Sequence, residues 1–182
     1  MLARLAVLFA FAVALAMPAA AQTPASPDNI LVLETNKGTV EIALRPDLAP
    51  QHVARIKELA REGFYDGVVF HRVIDGFMAQ TGDPTGTGAG GSKLPDLKAE
   101  FTATPYQRGT VGMARAQSPN SANSQFFIMF NRVPSLDGQY TVFGEVTEGM
   151  NVVDTIKKGS QSANGQVTNP DKIVKAYIKA DK

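Results

Sequence analysis

Between residues 30 and 178 the apolar residues come in short runs separated by turn formers, and that spacing limits the fold more than any one motif does. Residues 30–35 and 39–44 read as two strands joined through Asn36-Lys37-Gly38, a hairpin signal. In the second run Val40, Ile42 and Leu44 share one face while Glu41 and Ala43 take the other, so one side is buried. Strand-like runs recur at 70–73, 78–81, 109–116, 124–130, 140–146 and 173–178. The last of these sets Ile173, Lys175 and Tyr177 opposite Val174, Ala176 and Ile178. Only two segments carry helical spacing. Pro50 suits a first helical turn, and Val53, Ile56, Lys57, Leu59 and Ala60 follow at i, i+3, i+4 before Gly63 stops the pattern. Residues 149–158 form the second, with Met150, Val153, Ile156 and Lys157 on one side. About eight short strands, two helices and no alternating βαβ pattern favour a mainly-β antiparallel barrel.

The 182 residues predict one domain with an appendage at its start. Residues 1–21 hold a single charge, Arg4, then an apolar run from Leu5 to Ala16 and the exit Pro18-Ala19-Ala20-Ala21. That is the layout of a secretory signal cleaved between Ala21 and Gln22. The apolar run is shorter than the ~20 residues a spanning helix needs, so the mature chain is expected not to insert in a membrane. Residues 22–28, with two prolines and no large apolar side chain, read as a flexible leader to the domain at 29–182. The chain has 18 Lys and Arg against 17 Asp and Glu; loss of Arg4 with the signal leaves a formally neutral protein. Neutrality argues against nucleic acid or an anionic membrane as main partner. There is no cysteine, so an exported chain of this kind must rely on its core. With two histidines besides, few options remain for a transition-metal site. An exported, periplasmic monomer is expected.

One stretch, Phe70-His71-Arg72-Val73-Ile74-Asp75-Gly76-Phe77-Met78-Ala79-Gln80-Thr81-Gly82-Asp83, combines a strand, a glycine turn and a second strand. Alternation puts Phe70 and Arg72 on one face and His71 and Val73 on the other. Arg72 and Gln80 then flank a patch made by Phe77 and Met78, a poor core but a plausible peptide-binding site. Spacing alone favours Phe77, Met78 and Phe127 as core, and fits Arg72 equally as a solvated charge or a structural ion pair. His71, turned away from Arg72, reads as a structural hydrogen-bonding residue, and His52 as an uninvolved helix-surface residue. Further on, Gly86-Thr87-Gly88-Ala89-Gly90-Gly91 satisfies the letters of a dinucleotide fingerprint. That motif requires a helix opening directly after it, and Ser92-Lys93-Leu94-Pro95 does not open one cleanly. A mobile loop beside a groove is the expectation there.

The 70–83 stretch resembles the signature of the cyclophilin family of peptidyl-prolyl isomerases. Three further blocks agree in order: Gly109–Ala116, then Ser124-Gln125-Phe126-Phe127-Ile128, then Leu136-Asp137-Gly138-Gln139-Tyr140-Thr141-Val142-Phe143-Gly144. The resemblance implies a closed eight-stranded antiparallel barrel capped by two α-helices, with a proline-binding groove on its outer wall and no cofactor. It implies that Arg72 is the catalytic arginine and that Phe77, Met78, Phe127, Leu136 and Tyr140 line the proline pocket. Gln80, Gln125, Ala114 and the backbone of Arg115 would hold the substrate, a proline-containing polypeptide. Ser135 stands where many eukaryotic members carry a tryptophan associated with tight cyclosporin binding. Tyr140 replaces a histidine common there, and Arg115 an asparagine. These departures bear on drug sensitivity and peptide preference more than on catalysis.

The leader makes a direct prediction. N-terminal sequencing of exported protein should begin at or near Gln22; an intact 1–21 segment in that material would refute the signal reading.

Overall fold

A computed structural model describes residues 25–182, so the predicted signal segment lies outside the described residues. Eight strands follow in order: β1 (Ile30–Thr35), β2 (Gly38–Leu44), β3 (Arg72–Ile74), β4 (Met78–Thr81), β5 (Thr110–Met113), β6 (Phe126–Met129), β7 (Val142–Glu148) and β8 (Ile173–Ile178). Helix α1 (Pro50–Arg61) lies between β2 and β3, and α2 (Met150–Thr155) between β7 and β8. Pro27–Asn29 form a single 3-10 turn across the end of the segment expected as leader.

All the ladders are antiparallel, and the strands lie side by side as β3-β4-β6-β5-β7-β2-β1-β8. No ladder joins β3 to β8. The chain just before β3 instead meets the start of β8 through one bridge, Val69↔Lys172, and the bonds Phe70 N–H to Asp171 O (2.9 Å) and Ile173 N–H to Val68 O (2.9 Å). The sheet is therefore a curled, eight-stranded antiparallel one whose outer strands meet through irregular segments rather than a continuous ladder. Residues 82–109, where a dinucleotide motif would need its helix, contain none.

Three local expectations change. The β8 alternation breaks because the register against β1 shifts at Glu34/Thr35, leaving Val174 half exposed beside buried Ile173. Phe70 and Arg72 do not share a face: Phe70 precedes the strand and enters the main core with Val73, while Arg72 points the other way. Helix α2 stops at Thr155 because Ile156 is extended (φ −59°, ψ 132°). That turn buries Ile156 in the main core and presents the Lys157 N–H to the Asp171 carboxylate at 2.8 Å.

The main core fills the inside of the sheet with Leu31, Leu33, Ile42, Phe126, Ile128 and Phe143, and α1 covers it with Val53, Ile56 and Leu59. His52 departs from its expected place on the helix surface. It is fully buried, and its Nδ1 lies 2.6 Å from Glu100 Oε2. The same carboxylate accepts the Gln51 and His52 backbone N–H groups (3.2 and 3.1 Å), satisfying donors that the first turn of α1 leaves open. One glutamate thus ties the long 82–109 connection to α1. Burial lowers the His52 pKa against the opposing pull of Glu100, so neutral imidazole is the folded form. A pKa below the unfolded value means that stability is lost as pH falls through the ordinary imidazole range.

Removing Glu100 should strand both the buried ring and the helix N–H groups. Glu100→Ala is expected to lower unfolding free energy by ~1–3 kcal/mol in urea titrations at pH 7.5, and a value within ~0.5 kcal/mol of the parent would refute that capping role.

Candidate active site

The functional side chains sit on the outer wall, on strands whose other face is the main core. Antiparallel register pairs Arg72 with Gln80 and Ile74 with Met78 across β3 and β4, then Gln80 with Phe127 and Met78 with Met129 across β4 and β6. Period-two alternation therefore carries Arg72, Met78, Gln80 and Phe127 to one surface. The turn between β3 and β4 holds Phe77 beside them, and a 3-10 turn at Pro134–Leu136 brings Leu136 and then Tyr140 over the far rim.

These residues enclose a pocket of about 120 Å³ lined by Arg72, Phe77, Met78, Gln80, Phe127 and Tyr140, with Leu136, Ala114 and Arg115 completing it. Its floor is a second apolar cluster outside the barrel interior: Met78, Phe127, Met129, Val142 and Tyr106. Phe127 is 6% exposed, so it is floor as well as core. Tyr106 stacks beneath it at 5.7 Å between ring centroids, and Tyr140 meets it edge-on at 5.8 Å. Gln125, the remaining predicted site residue, is not in this pocket. It lines an adjoining polar recess of about 420 Å³ together with Gly88–Gly91, Asp96 and Asn123, and the two share Gln80, Ala114 and Arg115.

Hydrogen bonds fix the polar groups. Arg72 Nη1 donates to Gln80 Oε1 (3.2 Å), Gln80 Nε2 to Gln125 Oε1 (2.9 Å), and Gln125 Nε2 to the carbonyls of Gly88 (3.0 Å) and Gly90 (2.8 Å). Arg72 is half-buried, and desolvation lowers its pKa, though a guanidinium keeps its charge throughout the physiological range. Among the described residues it pairs with no carboxylate. Arg115 is used differently: its side chain donates to the Gln139 and Ala116 carbonyls and lies 4.5 Å over the Tyr140 ring.

The glycine-rich loop is tied down rather than loose. The buried Asp83 carboxylate accepts N–H bonds from Thr85 (2.8 Å), Thr87 (3.1 Å), Gly88 (2.6 Å) and Gly90 (3.1 Å). Burial opposes its charge, yet those donors together hold the carboxyl down at about 2. A side chain at Gly90 would sit 2.1 Å from Asp83 Oδ1, which is why the loop can wrap the carboxylate so closely. His71 is buried, and that burial lowers its pKa; among the described residues its ring nitrogens make no well-formed hydrogen bond, only a looser approach to the Val69 backbone. Asp83 and the glycines after it stand in the stretches singled out from the sequence, where the carboxylate has no anchoring role, and Tyr106 is unmarked there; its stacking on Phe127 depends on the folded register.

Comparison with known proteins agrees with this arrangement. The family model for the cyclophilin type peptidyl-prolyl cis-trans isomerase matches residues 30–178. A probable peptidyl-prolyl cis-trans isomerase of Brucella suis is 60% identical over 168 residues, covering 86% of each chain. A peptidyl-prolyl cis-trans isomerase of Helicobacter pylori is 47% identical over 131 residues, 70% of this chain and 80% of that one. Among solved structures, a cyclophilin from Hirschia baltica superposes with a TM-score of 0.78 at 30% identity, covering 87% of this chain and 76% of the other. A Cryptosporidium parvum cyclophilin type isomerase, crystallised in the presence of the dipeptide Ala-Pro, gives 0.75 at 30% identity, covering 82% and 98%. The curled antiparallel sheet is thus shared with a class of prolyl isomerases. The chain belongs to the cyclophilin-type peptidyl-prolyl cis-trans isomerase family, whose activity needs no cofactor.

The pocket floor makes its own prediction. The buried Tyr106 hydroxyl has no partner, and it occupies space that a side chain at Gly112 would need, 2.3 Å from the Cβ position. An unsatisfied buried hydroxyl costs stability, so Tyr106→Phe should leave the protein as stable or more so by urea unfolding. A loss beyond ~1 kcal/mol would mean that the hydroxyl has a partner that matters.

Proposed function

We propose that this chain is an exported prolyl isomerase, monomeric and periplasmic, that speeds rotation about X–Pro bonds in other exported polypeptides as they fold. The export half of this reading rests on the n-region, apolar run and alanine exit at residues 1–21.

The chemistry rests on one observation: a half-buried arginine, without a carboxylate partner, stands at the rim of a pocket large enough for a small apolar ring and floored by Met78 and Phe127. Rotation about X–Pro faces a barrier of ~18–20 kcal/mol because the amide has partial double-bond character. In the twisted state the prolyl nitrogen regains its lone pair and accepts a hydrogen bond. Arg72 donates to that nitrogen, binding the twisted amide better than either planar form, and only such differential binding lowers the barrier. Phe77, Met78, Phe127, Leu136 and Tyr140 hold the proline ring and strip water that favours the charge-separated planar amide. Gln80, Gln125, Ala114 and the Arg115 backbone hold the flanking chain. No proton moves and no covalent bond forms. The Ala-Pro dipeptide of the Cryptosporidium relative supports a proline-containing ligand for this pocket.

Removing a preorganised donor in such a site typically costs ~2.7–4 kcal/mol. Arg72→Ala is therefore expected to lower kcat/KM for an X–Pro peptide by ~10²–10³ while its affinity changes much less. Exchange spectroscopy on the peptide reports both quantities at once. Folded Arg72→Ala protein that turns over peptide at the parent rate would overturn the assignment. A parent protein that binds proline peptides without accelerating exchange would be a binding module instead.

A further inference from the structure

We infer that Asn164 is a positioning residue for Arg72, a role that rests on the proposed catalytic use of that arginine. Two atoms of this one residue converge on the guanidinium. Arg72 Nε donates to the Asn164 backbone carbonyl at 3.0 Å, and Arg72 Nη2 donates to Asn164 Oδ1 at 3.0 Å. Gln80 takes one N–H of Nη1. Of the five N–H groups of a guanidinium, two then remain, one on each terminal nitrogen, for a substrate amide.

The grip is built, not incidental. The 159–167 segment pairs with the outer edge of β3, the strand that carries Arg72. Gly159 N–H donates to Val73 O (2.8 Å), Val73 N–H to Gly165 O (2.8 Å) and Val167 N–H to His71 O (3.0 Å). These bonds fix the backbone on both sides of Arg72 and of Asn164. A Cβ at Gly165 would lie 2.3 Å from Ile74 Cγ1, so the loop can sit this close only with glycine there. Asn164 itself is left-handed (φ 52°), a conformation that asparagine tolerates better than other side chains. Its amide is also a neutral acceptor. A carboxylate in the same place would hold the guanidinium as firmly but would spend its charge on the protein, weakening what it donates to a twisted amide. Neutral acceptors orient the arginine and leave the charge for substrate.

Asn164→Gly tests this with little risk to folding, because glycine keeps both the left-handed backbone and the carbonyl acceptor while deleting Oδ1. In peptide exchange measurements kcat should fall about tenfold with KM unchanged, the loss expected for one hydrogen bond to a charged group. The same change in an Arg72→Ala background should have no further effect, since the group it positions is gone. A rate within twofold of the parent, or an equal loss in both backgrounds, would overturn the inference. The first outcome means that Oδ1 does not matter, and the second that Asn164 acts on the fold. If Arg72→Ala alone retains the parent rate, the proposed use of Arg72 fails, and that result is read before Asn164 is considered.

Discussion

Strand β6 is buried on both faces, and the rest of the molecule depends on that. Phe126 and Ile128 point into the main core, while Phe127 and Met129 point outward into the cluster beneath the pocket. An antiparallel sheet with one wet face would alternate apolar and polar residues; this strand cannot. The second cluster supplies the missing cover on the outer wall, with Tyr106 arriving from the β4–β5 connection and Leu136 and Tyr140 from the β6–β7 connection. The pocket is what remains where that cover stops short of Phe127. Under the proposed function, a bound proline ring completes a surface that the fold leaves partly open, and Phe127 beneath it is already held by core packing.

A hydrogen-bonded row crosses this wall at right angles to the strands. It begins at the Asp83 carboxylate, passes through the Gly88 and Gly90 amides and carbonyls to Gln125, then to Gln80 and Arg72, and ends on Asn164. Each member is a neutral group except the aspartate at one end and the arginine near the other. The loop donors give the aspartate its compensation locally, so its charge is spent on loop geometry. The guanidinium has only neutral partners. Both ends of the row are anchored by backbone: a loop wrapped on a carboxylate, and a loop paired with the edge of β3. Such anchoring gives preorganisation, which is how a fixed donor can favour one state of a substrate over another.

Much of this was legible in the sequence, and what was not has a common cause. Strand positions, the first helix and the residues of the pocket follow from period-two and i, i+4 spacing and from motif order, all of which are local. His52 looked like a surface residue because its neighbours Gln51, Lys57 and Glu58 are polar, and only the carboxylate 48 residues away makes its burial tolerable. The letters Asn164-Gly165 signal no more than a turn; the bond that the asparagine side chain accepts comes from an arginine 92 residues earlier. The Val174 break in β8 comes from a register shift against β1, which no alternation within β8 announces. In each case one residue answers to a partner that the fold, not the neighbouring sequence, brings within 3 Å or so.

Titration divides along the same line. No histidine or carboxylate lines the 120 Å³ pocket, and its charged members are arginines. Under the proposed mechanism the chemical step therefore has no group that changes charge between pH 5 and 8. The groups that do respond to acid lie in the scaffold: His52 and His71, both held neutral by burial, and beyond them Glu100 and Asp83, whose pKa values are lowered. All four shifts are depressions, so all four remove stability as pH falls, first through the imidazole range and then through the carboxylates. Acid acts first on the two buried imidazoles, His52 where the 82–109 connection meets α1 and His71 beside Gly88 of the loop wrapped round Asp83, and only later on the two carboxylates. Under the proposed mechanism, an isomerase built this way loses activity in acid through its frame, while Arg72 keeps its charge throughout.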